Sequence, residues 1–325
     1  FQGNTKKDQS VKSDGPVKIG VIAPMSGDLA FLGEGMRDAL NLAQEKYKGK
    51  TQFEYEVIIE DDQLDPKKSA SAANKLISTD NVDFLISISS GTGNVISPIA
   101  EKNNIIHFGQ ASDAAVATGN HNYIHWTPPI AEAELLISEL ENRGITNVSF
   151  IGTNHQGVQA IIDGVNTVLE TEADSSVVIT SEHRFNAGET DFRTLLNKAE
   201  QSNPDIYLLV AFTPELEIIG QQMKDLGITT PVTSIEAFGL TEERELFNGN
   251  WYIDAAVPSD KFFEAFNSAT NGGESYNLGT PNTYDIYSLI IETVEDMDSN
   301  DYSQEFMNQL PKTIQNFQSV FGPLE

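Results

Sequence analysis

Ser89-Ser90-Gly91-Thr92-Gly93 follows the apolar run Phe84–Ile88 and leads into a segment with helical spacing. Small residues at such a junction let backbone approach a ligand, and the free N–H groups of a helix start favour an anion such as a carboxylate. Ser90 adds a hydroxyl donor and Gly91 permits close approach, although the same residues can serve only as a cap and a turn. Gly109-Gln110-Ala111-Ser112-Asp113 ends the run Ile105–Phe108 in the same manner. Ser112 can donate to the same anion, or it and Asp113 can simply cap a helix. Glu236 lies in the apolar, glycine-flanked stretch Val232–Gly239. A carboxylate should not be buried there unpaired, so it either meets a ligand cation or lies exposed in a loop. Phe212 closes the run Ile206–Val210 and can cover an apolar ligand or pack in a core.

Signals for catalysis are weak. Gly91-x-Gly93 lacks the third glycine of a dinucleotide fingerprint, and no phosphate-loop lysine accompanies it. His121 and His125 are four residues apart, but Tyr123–Trp126 reads as a strand. There the two imidazoles would stand on one face about 13 Å apart, too far for one metal ion. Glu60-Asp61-Asp62 with Asp65 lacks the glycine and terminal glutamate of an EF-hand. The chain has no cysteine, which excludes disulfides, thiolate zinc sites and thiol nucleophiles. No nucleophile-elbow serine or zincin motif occurs. The expectation is a binding protein, not an enzyme, with no metal and no cofactor.

Loops of this kind need a scaffold that gathers strand ends. From Val17 the chain alternates short β-type runs with longer amphipathic segments. Val17–Ala23, Phe53–Glu60, Phe84–Ile88 and Ile105–Phe108 read as strands, separated by helical segments over Phe31–Tyr47, Pro66–Ile77 and Val95–Asn103. A second series runs from the helix Ala131–Asn142 through strands Val148–Ile151, Ser176–Ser181 and Ile206–Val210, with helices Val158–Leu169, Asp191–Gln201 and Leu216–Leu226. A strand over Trp251–Ala256 and helices Lys261–Ala269 and Thr283–Val294 follow, and the chain is expected to return there to the first unit. Strand–helix alternation of this kind means parallel sheets covered on both faces. The expected class is α/β, with two doubly wound parallel-sheet lobes joined by a multi-crossing hinge. The expected division is 16–129 plus 257–315 for lobe 1 and 130–256 plus 316–325 for lobe 2.

A chain of 325 residues, 39% hydrophobic, is long for one core and suits two lobes. Lys and Arg number 20 against 48 Asp and Glu, a net charge of -28, so no basic surface is available for nucleic acid. No apolar run reaches the ~18 residues of a membrane-spanning helix. Phe1-Gln2-Gly3 resembles the end of a cleavable tag, and Asn4 to Gly15 is polar and aperiodic like a flexible tether.

These loops, in this order, resemble those of the type I periplasmic binding proteins of the leucine/isoleucine/valine-binding family. The resemblance covers Val17 to about Tyr287 and rests on Pro24-Met25-Ser26-Gly27 with Gly33, Asp62-Gln63-x-Asp65-Pro66, Ser90-Gly91 with Pro98-Ile99-Ala100-Glu101, Ala111-Ser112-Asp113, Gly188-x-x-Asp191-Phe192, Pro204-Asp205 and Thr283-Tyr284-Asp285. It implies that Ser90 and Ser112 hold the α-carboxylate of an amino acid and that a backbone carbonyl near Gln110 accepts from its ammonium. It implies too that Glu236 pairs with that ammonium from the second lobe, where Phe212 also contributes. The family's usual aromatic positions read Leu32 and Gln156 here, which alters the side-chain pocket, and Gln110 stands where a proline is usual. The chain stops at Phe321-Gly322-Pro323-Leu324-Glu325, short of the Phe-Asp-x-x-Gly segment usual in the family, as a truncated C-terminus would.

The expected ligand contacts are therefore Ser90, Gly91, Gln110, Ala111, Ser112, Gln156, Phe212 and Glu236. The resemblance further implies an extracytoplasmic, monomeric receptor of an ABC importer for an apolar amino acid, with a membrane permease as partner and a lipid anchor on a removed N-terminus. An amide, urea-type, aromatic-acid or peptide ligand, or a sensory role, would use the same fold.

Overall fold

The computed structural model describes residues 15–323 apart from 173, 242 and 271. The expected tag and tether, but for Gly15, lie outside the described residues, as do residues 324 and 325.

The first series builds β1 (Val17–Ala23), α1 (Ala30–Tyr47), β2 (Tyr55–Asp61), α2 (Pro66–Lys75), β3 (Phe84–Ile88), α3 (Ser90–Asn103), β4 (Ile106–Gln110) and β5 (Asn122–Ile124). All pairings are parallel, in the order β2-β1-β3-β4-β5, with Val17 opposite Tyr55 and Ile19 opposite Phe84. β3 and β4 are buried at every position, as strands covered on both faces must be. Asp65 starts α2 by accepting from the N–H groups of Lys67 and Lys68, with Pro66 in the first turn where its missing N–H costs nothing.

The second series gives α4 (Pro129–Asn142), β6 (Asn147–Thr153), α5 (Gln156–Thr171), β7 (Val178–Phe185), α6 (Arg193–Glu200), β8 (Ile206–Val210), α7 (Glu215–Asp225) and the two-residue β9 (Val232–Thr233). This sheet is again parallel, in the order β7-β6-β8-β9. Each sheet separates two apolar clusters. Val21, Ile86 and Phe108 face one way in the first sheet and Ile22 and Leu85 the other, while Phe150 and Leu208 oppose Ile151 and Leu209 in the second.

The chain then returns to the first sheet as α8 (Asp260–Ala269), α9 (Gly279–Glu295) and α10 (Gln304–Ile314). α9 is buried nearly all round, because it fills the space between α1 and the face of β1, β3 and β4. Phe306 of α10 reaches Phe84 with ring centroids 4.8 Å apart.

Two expectations differ from the structure. The strand expected over Trp251–Ala256 is reduced to one bridge between Ile253 and Ile235. The backbone there is leaving the sheet: the Ala255 N–H turns to Asp254 and that of Ala256 to Thr127. The described part of the tail assigned to the second lobe, up to residue 323, packs instead on the first. Phe317 belongs to the first lobe's core, Ser319 and the Val320 N–H donate to the buried Asp285 of α9, and the Val320 carbonyl accepts from Ser259. Among the described residues the chain therefore passes between the sheets twice, after β5 and before α8.

Candidate ligand-binding site

The carboxyl ends of both sheets face one cavity of about 480 Å³ between the lobes. Loops after β1, β2, β3 and β4 form one wall, and loops after β6, β7, β8 and β9 form the other. Ligands bind at this end of open parallel sheets because helix N-termini and strand-end loops converge there.

On the first lobe, Ser89 passes the chain from β3 into α3 at φ +82, a conformation rarely adopted outside glycine. Its side chain does not cap the helix, and its N–H donates to the Gln110 carbonyl at 2.9 Å, tying the two loops together. The Ser90 oxygen accepts the Asp113 N–H at 3.1 Å, which leaves the Ser90 proton to be donated elsewhere. Capping of the following 3-10 turn falls to Asp113, which accepts from the Ala115 N–H and from Asn94 Nδ2. Ser112 is thereby spared for the cavity wall, beside Ala111.

Acidic residues behind this wall hold its loops. Asp61 accepts from the Met25 N–H at 2.9 Å and from Ser26 Oγ at 2.5 Å. Buried Asp62 accepts from Ser69 at 2.7 Å and from Thr92 of α3 at 2.9 Å. These acids are structural anchors, and among the described residues no group of three or more His, Asp or Glu could hold a metal.

The second lobe offers His155, Phe212 and Glu236. His155 caps α5, its Nδ1 accepting the Gly157 N–H at 3.1 Å. In a neutral imidazole Nε2 then carries the proton, and it faces Ser89 Oγ across the cleft at 3.3 Å. Burial holds the His155 pKa below its usual value, so the ring contributes a donor and no charge. Phe212 meets His155 edge-on at 5.2 Å and packs against the cores of both lobes.

Glu236 is 8% exposed, sits at φ +60, and accepts from Trp126 Nε1 at 2.6 Å. Burial pushes its pKa up to about 7. The other acids lining the cavity are Asp28 and Glu215, and Glu215 already accepts the Gly188 N–H. Among the described residues no lysine or arginine lines it.

Six of the eight expected residues meet in this cavity: Ser90, Gln110, Ala111, Ser112, Phe212 and Glu236. Gly91 and Gln156 do not line it. Gly91 seats the opposite lobe instead, since a Cβ there would stand 3.1 Å from His155 Nε2. Gln156, the first residue of α5, is exposed and borders the seam between the lobes, its Oε1 3.5 Å from where a Gly91 Cβ would stand, while the preceding His155 caps α5 and lines the cavity. The Gln110 carbonyl is occupied by the Ser89 N–H, and the Gln110 amide donates to Thr283 Oγ1 at 2.8 Å. Sequence reasoning missed His155 and Trp126. The available signals were a histidine between a strand end and a helix start, and an indole N–H in need of a partner.

The Ser–His contact best formed for nucleophilic chemistry is elsewhere. Ser87, His107 and Asn122 are linked at 2.8 and 3.0 Å, but all three are buried and His107 is driven down to a pKa of about 4 by burial. They join β3, β4 and β5 and offer no surface to a substrate.

The family description "Periplasmic binding protein" matches residues 16–325. A Leu/Ile/Val-binding protein homolog 2 of Brucella abortus is 27% identical over 230 residues, covering 65% of this chain and 58% of that relative. The chain thus matches little more than half the length of such relatives. A Leucine-, isoleucine-, valine-, threonine-, and alanine-binding protein of Pseudomonas aeruginosa is 23% identical over 70% of this chain and 62% of its own. Among solved structures, the leucine binding protein LivK of Thermotoga maritima superposes with a TM-score of 0.80 at 22% identity, covering 94% of this chain and 90% of that one. LivJ of Streptococcus pneumoniae, in complex with isoleucine, gives 0.81 at 18% identity over 95% and 91%. A Rhodopseudomonas palustris solute binding protein in complex with benzoate gives 0.79 at 16% over 95% and 88%. These homologues are solute-binding receptors, not enzymes. With its two parallel-sheet lobes and a cleft at their strand ends, the chain belongs to the type I periplasmic binding proteins of the leucine/isoleucine/valine-binding family.

Proposed function

We propose that the chain is the extracytoplasmic receptor of an ABC importer and that its cleft takes an α-amino acid with an apolar side chain. One observation carries the ligand class: among the described residues the cleft contains buried Glu236 and no lysine, arginine or charged histidine. Its anion grip consists of neutral donors, the Ser90 and Ser112 hydroxyls and the N-terminus of α3. A zwitterion suits this arrangement because it brings its own cation to Glu236 and its own anion to the serines. Leu29, Leu32, Leu64, Val158, Ile161 and Leu240 supply an apolar wall for the side chain. Closure of the lobes over the ligand gives the form that a permease would engage, with the receptor acting as a monomer.

A thermal-shift screen tests the reading. Leucine, isoleucine or valine at ~100 times its dissociation constant should add about 2.7 kcal/mol of stability and raise Tm by several degrees. The apolar wall also suits an aromatic acid. A shift with benzoate-type acids and none with any α-amino acid would replace the first reading with that one.

Closure brings Gly157 of α5 against Ser90, where a Cβ would lie 3.0 Å from Ser90 Oγ. Gly157→Val should therefore prop the lobes apart. The expected result is affinity weaker by roughly tenfold, about 1.4 kcal/mol, with a larger radius of gyration by X-ray scattering at saturating ligand. Unchanged affinity and compaction would show that the two helix ends do not meet in the bound state.

A further inference from the structure

Behind Glu236 lies a second carboxyl that the ligand grip does not use. Glu132, in the first turn of α4, is 2% exposed. Both of its oxygens are buried without a well-formed hydrogen bond, and the group its carboxyl meets is that of Glu236. Among the described residues no cation faces the pair. Among the described residues the other charged group acting on both is Asp254, also acidic, and Trp126 Nε1 is already given to Glu236 Oε1. Two carboxylates held together in a buried site without a cation cannot both ionise, because each charge raises the cost of the other.

We propose that Glu132 is a positioning residue of the cleft: a carboxylic acid kept neutral by its surroundings, whose O–H donates to the Glu236 carboxylate and holds it toward the ligand's ammonium. The geometry assigns each partner its part. Glu236 is the member that lines the cavity and has the indole donor to stabilise its charge, so it is the one to ionise. Glu132 lies outside the lining with no donor of its own, so it keeps the proton. Burial raises both carboxyls above the ordinary carboxylate range, so the buried pair retains a proton that a solvated pair would lose. With Trp126 and neutral Glu132 both donating, the Glu236 carboxylate is fixed between two hydrogen bonds and keeps its remaining acceptor capacity for the ligand.

The role toward the ammonium rests on the amino-acid reading above, whereas the protonation of Glu132 does not. The first measurement therefore uses ligand-free protein. At pH 8, where Glu236 is mostly ionised, the infrared difference spectrum between wild type and Glu132→Gln should show one protonated-carboxyl C=O band in wild type, shifted in D2O. No such band would overturn the proposal. The second measurement is the pH profile of L-leucine binding for wild type, Glu132→Gln and Glu132→Leu. Wild-type affinity should fall as pH drops through about 7, as Glu236 takes up a proton. Leucine at 132 removes the donor and should move that fall at least one unit to higher pH, while glutamine, which keeps a donor, should restore the wild-type profile. Coincident profiles for wild type and Glu132→Leu would overturn the positioning role. A band at pH 8 without binding of any α-amino acid would sink the ligand class and leave the neutral acid standing.

Discussion

Replacing Glu236 by alanine should weaken binding of an apolar α-amino acid by about 2–5 kcal/mol, roughly 30- to 4,000-fold, because the ligand's ammonium would be buried beside no counter-charge. Titration calorimetry on the ligand found by thermal shift measures this directly, and affinity within about threefold of wild type would sink the pairing of Glu236 with the ammonium. Glu236→Gln separates charge from shape, since the amide can still accept from Trp126 Nε1. It should lose nearly as much affinity as alanine if charge is what matters. The same group gives pH effects of opposite sign in the free and bound protein. Burial raises its folded pKa to about 7 from the ordinary carboxylate value, so the ligand-free fold binds more protons than the unfolded chain between roughly pH 4.5 and 7. That stability is present at the acid end of the window and is lost as pH rises through about 7. Ligand binding needs the ionised form and strengthens over the same rise. Denaturation of the free protein and calorimetry of the complex, each at pH 5.5 and 8, should therefore move in opposite directions.

The second large effect tests the architecture. Phe84→Ala should destabilise the first lobe by about 3–5 kcal/mol, the usual cost of removing a fully buried phenylalanine. Phe84 opens β3, with its ring centroid 4.8 Å from that of Phe306 and 5.7 Å from that of Tyr302, so with Phe108 it is where α10 docks on the first sheet. Phe306→Ala should cost a similar amount, and the double variant should cost less than the sum of the two, since both empty one space. Urea unfolding of the ligand-free proteins reads all three. Strict additivity, or a Phe306→Ala cost below about 1 kcal/mol, would mean that α10 does not rest on β3 as described.

Docking of this kind is what the sequence left open. Residues 316–325 carry no strong periodic pattern, and their assignment to the second lobe failed because a single buried acceptor, Asp285, draws Ser319 and Val320 onto α9. Trp251–Ala256 has strand composition, but strand propensity yields wherever the chain must leave one lobe for the other, and one bridge remains.

What the sequence determined by itself was the alternation of buried strands and amphipathic helices, hence two parallel sheets, and the loops at their carboxyl ends in which Ser90, Ser112, Phe212 and Glu236 lie. Those follow from local periodicity and from the rule that ligand loops cluster at one end of such sheets. Tertiary structure alone decided which neighbour of a helix start turns inward, His155 rather than Gln156, because that choice is made by a capping bond to the Gly157 N–H. It also decided the surroundings of Glu236. Trp126 and Glu132 are more than a hundred residues away in the chain, and only the crossing between the lobes brings an indole donor and a second buried carboxyl to the same point.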